Sequence, residues 1–150
     1  QQHFDVTVIT QNIDDLHERA GSAKVIHLHG EIFFSKSERD PSLLVKTLDN
    51  VFLGDCATDG AQLRPHVVFF GEDVPMIGTA GELAMGCDIL AVVGTSLAVY
   101  PAAGLLSVAK KADKWLTDPN PPELDLRMNI KVIAEPASTG VPKLKSMLLS

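Results

Sequence analysis

Asp5-Val6-Thr7-Val8-Ile9-Thr10, the segment from Asp14 to Ala20 closed by Gly21, and Lys24-Val25-Ile26-His27-Leu28-His29 together decide the fold. The first run is rich in β-branched side chains and predicts a strand. The second predicts a short helix, and the third predicts the next strand. Strand, helix and strand in succession argue for a parallel sheet covered by helices. Working outward, Pro65-His66-Val67-Val68-Phe69-Phe70 predicts a shorter extended run ended by Gly71. Asp88-Ile89-Leu90-Ala91-Val92-Val93 is almost uninterrupted apolar sequence, as expected of a strand buried on both faces. Small and apolar residues recur at helical spacing from Pro101 to Ala112, with Lys110, Lys111 and Lys114 near the end, where they suit the dipole. Trp115-Leu116-Thr117 and Ile130-Lys131-Val132-Ile133-Ala134 predict two more strands, separated by the Pro-rich stretch from Pro119 to Pro122, and Pro142 to Leu149 predicts a closing helix.

The chain has 150 residues, of which 45% are hydrophobic, enough for one compact domain with a core but not for two full ones. A net charge of -6 gives no electrostatic footprint for nucleic acid or an anionic membrane. An acidic surface would suit a partner of basic character, as it also suits an ordinary cytoplasmic protein. Cys56 and Cys87 form no disulfide framework, and no apolar run reaches the ~18 residues of a membrane span. A reducing cytoplasm is the expected location. The first residue is Gln, and no leader precedes it, so the chain reads as a fragment or a processed product.

In an open parallel sheet the ligand sits beyond the carboxyl ends of the strands. Three polar clusters fall there: Thr10-Gln11-Asn12-Ile13-Asp14-Asp15-Leu16, His27-Leu28-His29-Gly30, and Gly94-Thr95-Ser96. The first offers carboxamide, carboxylate and backbone groups suited to an amide ligand; the competing use is helix capping by Asp14 or Asp15. His27 and His29 project to one face if their strand stays regular, but two imidazoles without further ligands make a poor metal site. Backbone amides at Gly94-Thr95-Ser96 suit phosphate or ribose oxygens, although a generic strand-to-helix turn favours the same residues.

Taken in order, Thr10-Gln11-Asn12-Ile13-Asp14-Asp15-Leu16-His17 with Ala20-Gly21 resembles the TQNIDxLHxxAG segment of the sirtuins, the NAD-dependent protein lysine deacylases. His29-Gly30 is similar to their catalytic His-Gly, and Arg64-Pro65-His66-Val67-Val68-Phe69-Phe70-Gly71-Glu72 to their RPxVVxFGE segment. Gly94-Thr95-Ser96-Leu97-Ala98-Val99-Tyr100-Pro101-Ala102-Ala103 resembles GTSxxVxPAA. The resemblance runs from about Phe4 to the end and implies a Rossmann-like α/β fold with helices on both faces of a parallel sheet. It implies that His29 is the general base, since a neutral imidazole with an ordinary pKa of about 6.5 accepts a hydroxyl proton near neutral pH. By the same resemblance Asn12 and Asp14 shape the nicotinamide pocket, Asn12 with a catalytic part, and Gln11 and Ile13 line it. Gly94, Thr95 and Ser96 would meet the cofactor. Val99, Phe70, Gly71 and Glu72 would bind the substrate peptide as an added strand. His27 is assigned to structure, and His17 to support of the short helix.

Departures from the family pattern are informative. Asp118 stands where the family usually has Asn; a carboxylate there accepts ribose hydroxyls and repels a 2′-phosphate, favouring NAD over NADP, with Asn120 as the other candidate. Ala137, in a segment like the family's last turn, would give adenine a backbone contact. Sirtuins commonly carry two Cys-x-x-Cys pairs for a structural zinc, but where those pairs would lie this chain has Phe34-Ser35-Lys36-Ser37 and Asp55 to Ala61, with Cys56 alone. The expectation is a zinc-free module, without metal, in which Leu43, Leu44, Val45, Leu48, Val51, Phe52 and Leu53 pack in place of the metal, partly on a short helix after Pro41. Asp55, Asp59 and Glu31 are then expected in solvent. Finally, the family's GAGxSxxSGIPxFR segment is absent from these residues.

Residues 1–150 therefore read as the carboxyl-terminal part of one Rossmann-like domain, with 31–63 as a remnant of its small-domain insertion. An amino-terminal portion with a strand between the Val6 and Ile89 strands is expected to be missing, which would leave two partial sheets with exposed edges. The implied activity, in the complete protein, is transfer of an acyl group from protein lysine to ADP-ribose with release of nicotinamide. The fragment alone is expected to be inactive. The alternatives are a non-catalytic NAD or ADP-ribose binder and an interaction module, one that could form a homodimer through those edges.

Overall fold

The computed structural model describes residues 3–95 and 100–150. The chain divides into two compact units, Gln1–Met76 and Ile77–Ser150.

In the first unit, β1 (Val8–Thr10) and β2 (Val25–His27) pair in parallel, with Val8 opposite Val25 and Thr10 opposite His27. Between them α1 (Leu16–Arg19) is a single turn, shorter than the sequence predicts. Asp14 Oδ1 accepts the Leu16 amide at 3.1 Å, while the amides of Gly21 and Ser22 fold back onto the carbonyls of Glu18 and His17. Helical bonding is thereby closed from both sides. Gly21, at φ 89°, takes the left-handed turn that ends the helix.

An antiparallel sheet follows, ordered β4-β3-β5, from β3 (Gly30–Ser37), β4 (Leu44–Lys46) and β5 (Leu63–Val67). The helix expected after Pro41 is instead strand β4. Asp40 Oδ1 accepts the Ser42 amide and Asp40 O accepts the Leu43 amide, which makes a turn and sends the next residues back along β3. The expected apolar packing is also absent: Leu44, Val45, Leu48, Phe52 and Leu53 are all exposed, Leu53 almost completely at 97%.

Polar groups close this module instead. Ser37, fully buried, donates to Asp59 Oδ2 at 2.7 Å and accepts the amides of Arg39 and Asp40. Arg39 donates to the Asp59 carbonyl, and the second Asp59 oxygen takes the Ala61 amide. Asp55 accepts the Phe52 amide, and the Gln62 carboxamide bridges Gly54, Phe52 and Leu63. Asp55 is exposed, as expected, and Asp59 half-buried, and both also serve as structural acceptors. The Ser37 hydroxyl holds the Asp59 carboxyl below its ordinary range, helped by the Ala61 amide.

In the second unit, β6 (Ile89–Val93), β7 (Asp113–Thr117) and β8 (Ile130–Ile133) form a parallel sheet in that order. The strand buried on both faces is β7, not β6 as its apolar sequence predicts. Trp115, Leu116 and Thr117 are all buried, whereas β6 pairs only with β7 among the described residues and leaves Val93 39% exposed. A central position in the sheet, not apolar sequence, decides burial. Trp115 and Ile133 pack with Leu144, flanked by Ile89 and Leu148.

Helix α2 (Ile77–Gly86) buries Ala80 and Ala84. A 3₁₀ turn at Ala102–Gly104 leads into α3 (Leu105–Val108), so the predicted helix from Pro101 to Ala112 stops early. The cause lies at Ala109, whose ψ of 60° leaves the helical region before the lysines. The closing helix α4 (Ala137–Leu148) begins five residues before the predicted start, so Pro142 lies inside it. Gly140 packs on Thr117 where a Cβ would collide with it, so the first turn of α4 lies directly on β7. No helix among the described residues is long and apolar enough to cross a membrane.

Candidate functional site

Within Gln1–Met76, the carboxyl ends of β1 and β2 place two imidazoles against two successive carbonyls. Leu28 N donates to Thr10 O at 2.9 Å, which extends the parallel pairing one step beyond β2. His29 lies just past the strand in a turn, and not in it as the sequence predicts. Its Nδ1 is 3.0 Å from Gln11 O, and its own carbonyl accepts the Val68 amide at 2.9 Å. A carbonyl is only an acceptor, so Nδ1 carries the proton and, in the neutral ring, Nε2 is left as a base. The half-buried imidazole is thus held from both its ring and its backbone.

Gly30 explains how the turn after His29 can be so tight. Its φ of 83° is left-handed, and a Cβ there would collide with the His66 carbonyl on β5. Any side chain would push β3 away from β5 beside His29.

The Gln11–Asp14 segment is fixed along its backbone. Thr10 Oγ1 accepts the Asn12 amide at 3.0 Å, and Ile13 O accepts the Ile32 amide at 2.8 Å. The Asn12 side chain is exposed, while Gln11 and Ile13 are half-buried. Asp15 is the N-cap of α1 but makes no side-chain capping bond; Asp14, one residue earlier, accepts the Leu16 amide through Oδ1 and so takes over part of the capping use weighed from the sequence. His27 holds Asn12 O with Nδ1 at 3.1 Å and Glu18 Oε1 with Nε2 at 2.9 Å. Burial opposes charge on His27, but the Glu18 carboxylate and the Asn12 carbonyl outweigh it and raise its pKa above the ordinary value. Glu18 is lowered by the same pair.

The predicted substrate segment differs in shape from the expected strand. β5 ends at Val67, and Phe69–Glu72 is a turn in which Glu72 N donates to Phe69 O and Glu72 Oε2 accepts the Phe69 amide. Arg64 donates to Glu72 Oε1 at 2.7 Å and lies over the Phe69 ring. The Phe69 amide, with Arg64 beside it, keeps the Glu72 carboxyl below its ordinary range. Phe70 stands fully in solvent, and Gly71 has φ 87°. The sequence does not reveal the Arg64–Glu72 pairing, because eight residues separate the partners across a turn.

Within Ile77–Ser150, the carboxyl ends of three adjacent strands carry the other predicted residues. Gly94, at φ 61°, donates to Thr117 O, and Asp118 N donates to Ile133 O at 3.2 Å. Ala137 is the first residue of α4. Asp118 Oδ1 accepts the Asn120 amide at 2.8 Å, so the two residues considered for one role form a single turn. Thr95 is half-exposed beside Gly94. The predicted positions Ser96 and Val99 lie outside the described residues.

Among the described residues no group of three or more His, Cys, Asp or Glu side chains is arranged to hold a metal ion. Cys56 is exposed and Cys87 half-buried; both are free thiols.

Parallel strands with polar residues gathered at their carboxyl ends place both units in the α/β, Rossmann-like class. Residues 1–101 match the Sir2 family model, and the chain belongs to that family. It is 48% identical to an NAD-dependent protein deacylase of Bacteroides thetaiotaomicron over 99% of this chain and 67% of the relative. It is 44% identical to one of Helicobacter pylori over 99% of this chain and 64% of the relative. The chain therefore spans about two thirds of the length of these curated relatives. Among solved structures it resembles a Sir2 homolog–NAD complex, with TM-score 0.79 and 31% identity over 95% of this chain and 59% of that one. A Sir2–p53 peptide–NAD+ structure gives TM-score 0.78 and 28% identity over 99% and 66%.

Proposed function

We propose that the intact protein removes acyl groups from protein lysine side chains with NAD as co-substrate, giving nicotinamide, free lysine and an O-acyl-ADP-ribose. The observation that carries this reading is His29 Nδ1 on the Gln11 carbonyl, which leaves Nε2 as the base beside the Gln11–Asp14 segment. Relatives named NAD-dependent protein deacylase support it, as do Sir2 structures with NAD and with p53 peptide. In the reaction the acyl-lysine carbonyl oxygen bonds to the nicotinamide ribose as nicotinamide leaves. His29 then takes the proton of a ribose hydroxyl, the acyl group passes to the ribose, and water completes the release of lysine.

Asn12 and Asp14 shape the nicotinamide pocket, and Gln11 and Ile13 line it. The Gly94-Thr95-Ser96 turn after β6 takes ribose and phosphate oxygens; Asp118 accepts ribose hydroxyls and disfavours a 2′-phosphate. Ala137 offers adenine its backbone. Phe70, Gly71, Glu72 and Val99 take the substrate polypeptide. The small module works without zinc, because Ser37 and Asp59 already satisfy one another.

The test is to incubate the intact protein with acetyl-lysine peptide and NAD and to follow nicotinamide release. Release that needs both peptide and NAD is expected. Tight binding of ADP-ribose without release would replace this reading with that of a non-catalytic binder.

A further inference from the structure

We infer that His27 is a positioning residue that works as an imidazolium, holding the Asn12 carbonyl with one ring nitrogen and the Glu18 carboxylate with the other. The inference rests on the deacylase reading, in which Asn12 shapes the nicotinamide pocket.

The geometry requires two protons on the ring. Asn12 O and the Glu18 carboxylate are both acceptors, at 3.1 and 2.9 Å, whereas a neutral imidazole carries a single N–H. The His27 side chain is only 9% exposed, so water cannot readily stand in for a lost donor. His29, two residues on, makes one ring bond to the preceding carbonyl and must leave its other nitrogen bare to act as a base. Two neighbouring histidines thus hold successive carbonyls, Gln11 and Asn12, with opposite requirements for protonation.

The charged groups around His27 favour its proton. Glu18 faces it from α1 and Glu31 from β3, while His17 on α1 bears on Glu18. Burial works against the charge, but the net shift of His27 is upward. The Glu18 carboxyl shifts downward. The clamp is complete between the ordinary Glu value of 4.5 and the ordinary His value of 6.5. It weakens as pH rises through the raised His27 pKa, and on the acid side as pH falls through the lowered Glu18 pKa. In the intact enzyme, KM for NAD rises as the clamp opens in the alkaline direction.

The test uses the intact protein with three forms: wild type, Glu18→Gln and His27→Gln. Glu18→Gln keeps an oxygen acceptor on an exposed helix and removes the charge. We expect the ¹⁵N-detected titration of His27 to move to lower pH, and the alkaline rise in KM for NAD to move with it by roughly one pH unit. We expect kcat to change less than about twofold under conditions where the wild-type clamp is closed, a small effect beside the tenfold that corresponds to about 1.4 kcal/mol. His27→Gln should raise KM for NAD about tenfold and remove its alkaline rise. A wild-type His27 carrying a single ring proton at about pH 6, or one whose titration Glu18→Gln does not move, overturns the inference whatever the activity. Identical KM profiles in all three forms of an active enzyme overturn its functional part. An inactive wild type with an intact His27 titration overturns the deacylase reading and leaves the clamp standing.

Discussion

The carboxyl end of β2 and the antiparallel module after it are joined through Gly30, yet they are built on opposite principles. At the β2 end, Leu28 is buried, and two histidines are fixed against main-chain carbonyls of the neighbouring strand end. In the module, Leu48, Phe52 and Leu53 stand in solvent while Ser37 is fully buried and Asp59 is bonded on both oxygens. One region uses the core to fix polar side chains against neighbouring carbonyls; the other uses polar groups to hold itself together. Apolar content therefore foretells the first region and misleads in the second.

The largest effect should come from the imidazole that the β2 end aims. His29→Ala in the intact protein is expected to lower kcat roughly 10²- to 10⁴-fold with the fold retained, as seen by circular dichroism. Full activity in that variant would remove the base assignment and with it the functional side of the contrast.

Gly30→Ala attacks the joint between the two regions. The added Cβ meets the His66 carbonyl in a left-handed backbone, so a loss of more than about 2 kcal/mol in urea unfolding is expected. A neutral result would show that β3 can move away from β5 freely.

Ser37→Ala probes the module. It removes a buried hydroxyl that serves Asp59, Arg39 and Asp40, and about 1–3 kcal/mol of stability should go with it. Leu53→Ala, at an exposed site, should stay within about 0.5 kcal/mol. If the two variants changed places, the module would be held by apolar packing after all.

The smallest effect is a pH dependence. Asp59 is held below its ordinary pKa of 3.8, so the stability it contributes is present above that value and is lost as pH falls through the lowered one. The difference between wild type and Ser37→Ala should accordingly shrink in acid, and unfolding midpoints measured at about pH 6 and about pH 3 would show it. A gap that stays constant would mean that the carboxylate form of Asp59 plays no part.

The strands β1, β2, β6 and β8 were legible in the sequence because runs such as Val8-Ile9 and Ile89 to Val93 are apolar and β-branched. The strand-end residues His29, Gln11 and Asn12 were legible as an ordered motif. Burial was less so: β7 carries Lys114 and Thr117 yet lies at the sheet centre, where neighbours on both sides shield it. Strand β4 was missed because Leu43-Leu44-Val45 is ambiguous in period until the Asp40 turn and the pairing with β3 are known. The clasp of Ser37 on Asp59 and that of His27 on Glu18 join residues distant in sequence, through side chains common in solvent. Nothing in residue type alone announces them.

Central to this account is the claim that the Gln11 carbonyl fixes which nitrogen of His29 bears the proton. Long-range ¹H–¹⁵N correlation of the imidazole rings in the intact protein, recorded where the His29 ring is neutral, reads this directly. The account predicts a protonated Nδ1 and a bare Nε2. A neutral ring protonated on Nε2 would contradict it, because no base would then face away from Gln11.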